Sequence, residues 1–438
     1  MNEVFLNEMK DLLQDRYPLF LESCGQPAFR GFRVNPLKIS DQDFFDVCGL
    51  PHRKSPFCEH GYYLLNQDPV ARIPAYKSGL FYMQEPSAGA VAEQIGIRPG
   101  MLVLDLCAAP GSKSTQLGEL LKGEGLLVSN EIHTGRSRIL QENIIRHGIT
   151  NCIVLNCDTL RIADQFEGVF DAVLCDAPCS GEGMFRKDPD AAAEWSPDSP
   201  EHCAIRQYHI LENARRCLKP GGILMYSTCT FNRKENEETI LRFLDAYSDM
   251  ELTPVSLTAG SEGIGPDPRT KLMHRIFPMD GGEGHFMARM IRKGEGSGTS
   301  PQFLKSARIP DYVRKEIEDL IGCQYPYYRL INQKVYGGTH PFIDTGKLHV
   351  TGSQVFIGEI RNNRFEFSHH FFTSTYKPFL RTIVLSENEV TAYLHGEAIR
   401  SAQKKGWYAV SFRGFVPGGV KSDGNSLKNK YPKSLRTR

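Results

Sequence analysis

Between residues 101 and 228 the chain repeats one rhythm: a short unbroken apolar run, a turn, then apolar positions at helical spacing. Apolar runs too short for helices and bounded by turn residues read as strands buried on both faces. They are predicted at 101–106, 125–130, 152–157, 169–175 and 222–228, with helices at 114–121, 134–147, 201–217 and 235–246. Strand, crossover helix, strand is the parallel unit, so all the carboxyl ends share one rim. Its repetition predicts an α/β fold with a doubly wound sheet. Two later apolar pieces, 250–257 and 285–292, flank a loop with Gly260, Gly263, Gly265 and Pro266 and read as a terminal hairpin-like pair.

Upstream, Phe5, Leu6, Met9, Leu12 and Leu13 recur at helical spacing. Residues 31–38 alternate as a strand ended by Pro36, a second short helix follows at 41–48, and a third is expected at 87–95. Downstream, residues 293–301 have the Gly and Ser content of a flexible linker. Beyond it come a helix at 310–322 and β-like runs at 349–358, 364–367, 382–385 and 408–412. Pro417, Gly418 and Gly419 read as a turn. The predicted organisation is an α+β lobe (1–78), a doubly wound domain (79–293), a linker (294–302) and a β-rich module (303–438).

A chain of 438 residues is long enough for several cores. It has no apolar stretch long enough to span a bilayer, and Met1–Phe5 does not open a signal peptide. Twelve cysteines without a CxxC pair favour free thiols over disulfides or a zinc ribbon, and no metal site is expected. These features point to the cytoplasm. Net charge is +1, but residues 401–438 hold six Lys and three Arg against Asp423 alone, +8 in all, leaving about −7 for the rest. One strongly basic end on a near-neutral chain is the pattern of a localised polyanion contact.

The candidate chemistry gathers at the predicted rim. Asp105 ends the first strand, and small Ala108, Ala109 and Gly111 let a ligand approach the backbone before a helix start that offers N–H donors. The spacing is neither GxGxxG nor GxxxxGK[ST], which weakens dinucleotide and nucleoside-triphosphate readings. Glu131, Asp158 and Asp176 end the next strands. A single such acid only caps a turn, whereas Asp105, Glu131, Asp158 and Asp176 together favour a nucleoside cofactor. Cys107, Cys152, Cys157, Cys175, Cys203 and Cys217 sit in or beside apolar runs, as small core side chains do. Cys179 and Cys229 differ: each lies just past a strand among turn formers and hydroxyls, where a thiol pKa can fall. The spacing alone does not say which of them attacks.

Three segments carry a resemblance to a known family. They are Cys107-Ala108-Ala109-Pro110-Gly111-Ser112-Lys113, Asp176-Ala177-Pro178-Cys179-Ser180-Gly181-Glu182-Gly183-Met184-Phe185-Arg186, and Ser227-Thr228-Cys229-Thr230-Phe231 followed by Glu235-Asn236-Glu237. With Arg33-Val34-Asn35-Pro36-Leu37 and a C-terminal segment from Leu427 to Arg436, the chain resembles RsmF-type members of the Sun family of RNA (cytosine-5)-methyltransferases. The resemblance implies a class I methyltransferase sheet, mostly parallel with an antiparallel terminal strand, and a PUA-like RNA-binding module at the C-terminal end.

It also implies roles. Cys229 adds to carbon 6 of cytosine, which makes carbon 5 nucleophilic towards S-adenosylmethionine. Cys179 assists resolution of the adduct, as the base or beside it, and Asp176 hydrogen-bonds the ring near its third nitrogen. Cofactor positions map to Cys107, Ala108, Ala109, Pro110, Gly111, Ser112, Lys113, Glu131, Asp158 and Asp176. Candidate RNA contacts are Arg33, Lys187, Lys428, Lys430, Lys433 and Arg436, beside Arg186, with Trp407 and Tyr431 as possible stacking surfaces. The expected partner is 16S ribosomal RNA or the small ribosomal subunit, bound by a monomer. Two other readings stay open: a transfer RNA (cytosine-5)-methyltransferase, and a non-catalytic RNA-binding ribosome-assembly factor.

Overall fold

The computed structural model describes residues 3–437. Its centre is one twisted sheet whose strands we label β1 (Leu102–Asp105), β2 (Leu126–Asn130), β3 (Cys152–Leu155), β4 (Phe170–Asp176), β5 (Leu218–Thr228), β6 (Met250–Thr253) and β7 (His285–Arg292). The order is β7-β5-β4-β1-β2-β3; β1 to β5 are parallel and β7 is antiparallel to both β5 and β6. From β1 the chain proceeds outward to β2 and β3, then crosses back to β4. The switch point therefore lies between β1 and β4, where open α/β sheets bind ligands. The crossover helices are α1 (Ser112–Leu121), α2 (Thr134–His147), α3 (Thr159–Gln165) and α4 (Ser199–Cys217), with α5 (Glu237–Ala246) leading to β6. Val103, Leu104, Val128, Val154, Val173 and Leu174 are fully buried, as a sheet covered on both faces requires.

The edges depart from the expectation. Beyond β7 stand two short strands, His274–Ile276 and Ser261–Glu262, in the loop expected to be only turns. On the far side, Val350–Ser353 pairs antiparallel with β3. The apolar run at 349–358 is thus two strands: it breaks at Gln354, whose φ is 28°, and resumes as Val355–Arg361 in another sheet. Part of the expected C-terminal module therefore completes the central sheet.

The N-terminal lobe is a four-stranded antiparallel sheet in the order His52–Lys54, Gly61–Leu64, Gly31–Val34, Phe81–Met83. Phe81–Met83 pairs with Gly31–Val34, so this sheet runs past the expected boundary at 78. After residue 303 there are two sheets, which share one core. A four-stranded one spans Tyr327–Ile331 to Arg364–Phe367, and a five-stranded one gathers Thr382–Val384, Ile399–Arg400, Gly406–Phe412, Phe415–Ser422 and Ser426–Asn429. Pro417, Gly418 and Gly419 lie inside Phe415–Ser422, and the turn falls instead at Arg413 and Gly414, both with positive φ. The glycines serve packing there: a Cβ at Gly419 would stand 2.3 Å from the Phe372 ring, and one at Gly418 would stand 2.3 Å from the Tyr393 hydroxyl.

The first and last sheets share one core. Phe32, Val34, Phe44, Leu80 and Phe81 pack in the same cluster as Val390, Tyr393, Val410, Val420, Leu427 and Tyr431. The basic C-terminal segment is therefore built into the fold as strand and core.

Candidate active site

The loop after β1 is held open by its neighbours. Asn130, buried at the end of β2, donates to the carbonyls of Leu106 and Cys157 and accepts from the Cys157 amide, tying three strand ends together. Its own carbonyl accepts from Ala108 N at 2.8 Å. Gly111 precedes α1 with φ 112°, a conformation that glycine adopts without strain. Arg136 donates to the Ala109 carbonyl at 2.8 Å and lies 3.6 Å from Glu131.

Acidic groups ring this loop. Burial, then the charges of Asp105, Asp176 and Glu131, all push the Cys107 thiol upward, so all three carboxylates lie within electrostatic range of it. Asp105 is fully buried; Ser114 Oγ donates to one of its oxygens at 2.6 Å, and the other has no protein partner. Burial raises Asp105 to about 7. Asp158 departs from the group. It is exposed and accepts from Leu160 N at 2.8 Å as the cap of α3, a strand-end acid serving a helix.

The two thiols converge at the end of the β4–β5 pair. Cys179 Sγ and Cys229 Sγ are 3.2 Å apart, although the residues are separated by fifty positions. The hydrogen bond from Cys179, joined by the Lys113 charge, lowers Cys229 below its ordinary value against the opposing effect of burial. The same bond, then burial, pushes Cys179 well up. Of the two, Cys229 is the one that ionises more easily and Cys179 the one that holds its proton more tightly. Asp176 stands beside them: Lys113 Nζ donates to Oδ2 at 2.7 Å and Ser227 Oγ to Oδ1 at 2.6 Å. Burial works against the Lys113 charge, but Asp176 outweighs it and holds the lysine protonated.

Two carboxylates, each on one thiol's loop, hold the other's. Glu182 follows Cys179 and accepts from Phe231 N at 2.7 Å, Asn232 N at 2.9 Å and Asn232 Nδ2 at 3.1 Å. Glu235 follows Cys229 and accepts from Ser180 N at 3.0 Å, from Ser180 Oγ, from Asn232 Nδ2 at 2.7 Å and from Gln207 Nε2 at 2.7 Å. Sequence reading saw Glu235 only within a motif and gave neither Glu182, Asn232 nor Gln207 a role. Glu237, the first residue of α5, is fully buried against Arg275.

The expected RNA contacts divide. Arg33 is not one of them: it is 2% exposed and grips Glu119 of α1 through Nε at 2.8 Å and Nη2 at 3.0 Å, pinning the N-terminal lobe to the central domain. Arg186 is likewise spent on Glu283 and on the carbonyls of Gln26 and Pro27. Trp407 and Tyr431 are core residues and offer no stacking face. Lys430 is paired with Glu366 at 2.9 Å, and Arg436 is half-buried. Lys428 is largely exposed, 3.7 Å from Asp423; Lys433 is exposed, and Lys187 is half-buried at the catalytic rim.

Comparison with known proteins identifies the family. Residues 94–291 match the family described as 16S rRNA methyltransferase RsmB/F, residues 1–86 the N-terminal domain of 16S rRNA methyltransferase RsmF, and residues 380–437 the RsmF PUA domain. A ribosomal RNA small subunit methyltransferase F from Enterobacter is 30% identical over 98% of this chain and 95% of its own length. Its counterpart from Aeromonas salmonicida is 32% identical over 95% and 92%. Among solved structures, a methyltransferase homologue from Pyrococcus horikoshii superposes with TM-score 0.60 at 30% identity, over 67% of this chain and 95% of that one. The NSun6 protein from Pyrococcus horikoshii, solved with SFG, shares the fold at TM-score 0.60 and 21% identity, over 67% and 99%. The chain belongs to the RsmF-type branch of the Sun family of RNA methyltransferases, enzymes whose methyl donor is S-adenosylmethionine.

Proposed function

We propose that this chain methylates carbon 5 of a cytosine in 16S ribosomal RNA, with Cys229 as nucleophile. The observation that carries this reading is the 3.2 Å approach of two thiols beside the Lys113–Asp176 pair. Methylation of an amino group needs no covalent adduct and no second thiol, whereas carbon 5 of cytosine must first be made nucleophilic.

The donor's adenosine and amino acid parts fit the loop after β1, from Cys107 through Ala108, Ala109, Pro110, Gly111 and Ser112 to Lys113. Asp105 with its unpartnered buried oxygen and Glu131 are the acceptors there. Asp158 keeps one carboxylate oxygen beyond its capping bond. When bound, S-adenosylmethionine supplies an electrophilic methyl group. The chain's own residues do the rest. Cys229 attacks carbon 6 as a thiolate held by Cys179 and Lys113. Asp176 meets the ring near its third nitrogen, and Lys113 keeps Asp176 oriented. Cys179 then hydrogen-bonds the departing sulfur. The target base must leave its stack to reach this rim, and Lys187, Lys428 and Lys433 are the cations placed to hold its backbone.

Labelled methyl transfer tests the reading on isolated 30S subunits, naked 16S RNA and bulk transfer RNA. Methylation of ribosomal RNA at carbon 5, abolished in Cys229→Ala while cofactor affinity stays, is the expected result. Activity on transfer RNA alone overturns the substrate assignment. Cofactor binding without turnover on any RNA overturns catalysis and leaves the assembly-factor reading.

A further inference from the structure

A second polar cluster lies within electrostatic reach of the Lys113–Asp176 pair. β5 and β7 run antiparallel with Met287 opposite Ser227 and Phe286 opposite Thr228; the ladder ends there, and His285 and Cys229 are the next residues on the two sides. Directly opposed residues project to the same face, with Cβ atoms about 5 Å apart. His285, two residues from Met287, therefore projects on the side of Ser227, and the charges of Lys113 and Asp176 both reach it.

The histidine is 7% exposed and held at one nitrogen. Ser87 Oγ lies 2.8 Å from Nδ1, and Glu85 Oε2 lies 3.4 Å from it. Glu85 accepts from Ser87 Oγ at 2.5 Å, Ser87 N at 3.0 Å, Ala88 N at 2.9 Å and Glu283 N at 3.1 Å. Burial opposes its charge, but His285, Lys187 and these donors hold it below the ordinary carboxylate range. A hydroxyl has one proton, and Ser87 gives it to Glu85, so Ser87 Oγ must accept from Nδ1–H. That fixes the tautomer and leaves the lone pair on Nε2, which has no hydrogen-bond partner among the described residues. Burial, against the pull of Glu85, lowers the ring to about 4, so it is neutral at pH 7.

We propose that His285 is a further catalytic residue, the acceptor of the carbon-5 proton once the adduct carries its methyl group, with Ser87 and Glu85 as positioning residues. The inference rests on the cytosine-5 reading above. In that step the carbon-5 proton moves to His285 Nε2. The C–H electron pair becomes the carbon 5–carbon 6 double bond, and the carbon 6–sulfur pair returns to Cys229. The resulting imidazolium lies beside the Glu85 carboxylate and passes its proton to solvent. Beyond the bond to Cys229, burial also keeps the proton on Cys179, which suits it to donate. Its task is to donate to the leaving sulfur.

The test uses the full chain and RNA tritiated at carbon 5 of cytosine, with labelled methyl donor. In His285→Gln, methyl transfer into a protein-linked adduct persists while tritium release slows about 100-fold or more, and a retarded band appears on denaturing gels. Tritium release at the wild-type rate overturns the proposal; so does a parallel loss of methyl transfer and release with no adduct. Should His285→Gln fail to fold, Ser87→Ala keeps the ring but frees its tautomer. Release about 10-fold slower with adduct build-up is then expected, and unchanged release overturns it. If wild type neither methylates cytosine nor releases tritium, the cytosine-5 reading itself falls and takes this proposal with it.

Discussion

At the scale of single residues the site rests on the unequal acidity of two adjoining sulfurs. Cys179 donates, so Cys229 ionises more easily than an ordinary thiol and Cys179 less easily. Iodoacetamide labelling of Cys229 should therefore rise with pH about a midpoint below 9.0, the ordinary thiol value for this pair. Cys179→Ala removes the donor and should move that midpoint upward; an unmoved midpoint refutes the hydrogen bond as the cause. The same variant should accumulate thiol-linked RNA, because the departing sulfur loses its donor. The Cys179→Ala, Cys229→Ala double variant should form no such band.

At the scale of elements, placement rests on strand ends and on one glycine. Gly111 precedes α1 at φ 112°, and a Cβ there would stand 3.1 Å from Leu140 Cδ1. Gly111→Ala should strain the turn by about 1–3 kcal/mol and weaken S-adenosylmethionine binding at least tenfold by calorimetry, with RNA affinity kept. Much of this level was legible in the chain. The apolar runs gave β1 to β5 within a few residues, and the turn formers around Cys179 and Cys229 marked them apart from the core cysteines. The carboxylate locks were not legible. Glu182 and Glu235 act across about fifty residues, and such pairing leaves no periodic trace. His285 was hidden for the same reason: its meaning comes from the register of β7 on β5. The capping bond of Asp158 was not legible either, because a cap and a cofactor contact look alike at a strand end. The two C-terminal sheets blurred into one because their strands are short and one of them joins another sheet.

The whole molecule is tied together by buried contacts between regions that the sequence presents as separate. Arg33→Ala would leave Glu119 buried without its partner, at a cost of about 3–5 kcal/mol. Denaturant unfolding should show that loss, while the salt dependence of RNA binding stays as in wild type; a flattened salt slope would restore Arg33 as a phosphate contact. The basic C-terminal segment needs a gentler probe than deletion, since Leu427 and Tyr431 belong to the core shared with the N-terminal lobe. Replacing Lys428 and Lys433 with Gln leaves that core intact. The double variant should reduce the slope of log affinity against log salt by about 1–2 and spare cofactor binding. An unchanged slope removes these two lysines from the RNA interface.

The strand Val350–Ser353 along β3 has a consequence for synthesis. A ribosome making this chain releases every residue of the catalytic centre well before it releases the strand that closes that flank. Until then the nascent enzyme carries a bare row of amides and carbonyls, the kind of border on which chains adhere to one another. A shortened protein ending near residue 293 would keep that border permanently, so its insolubility would report a missing margin while every reacting group was still present.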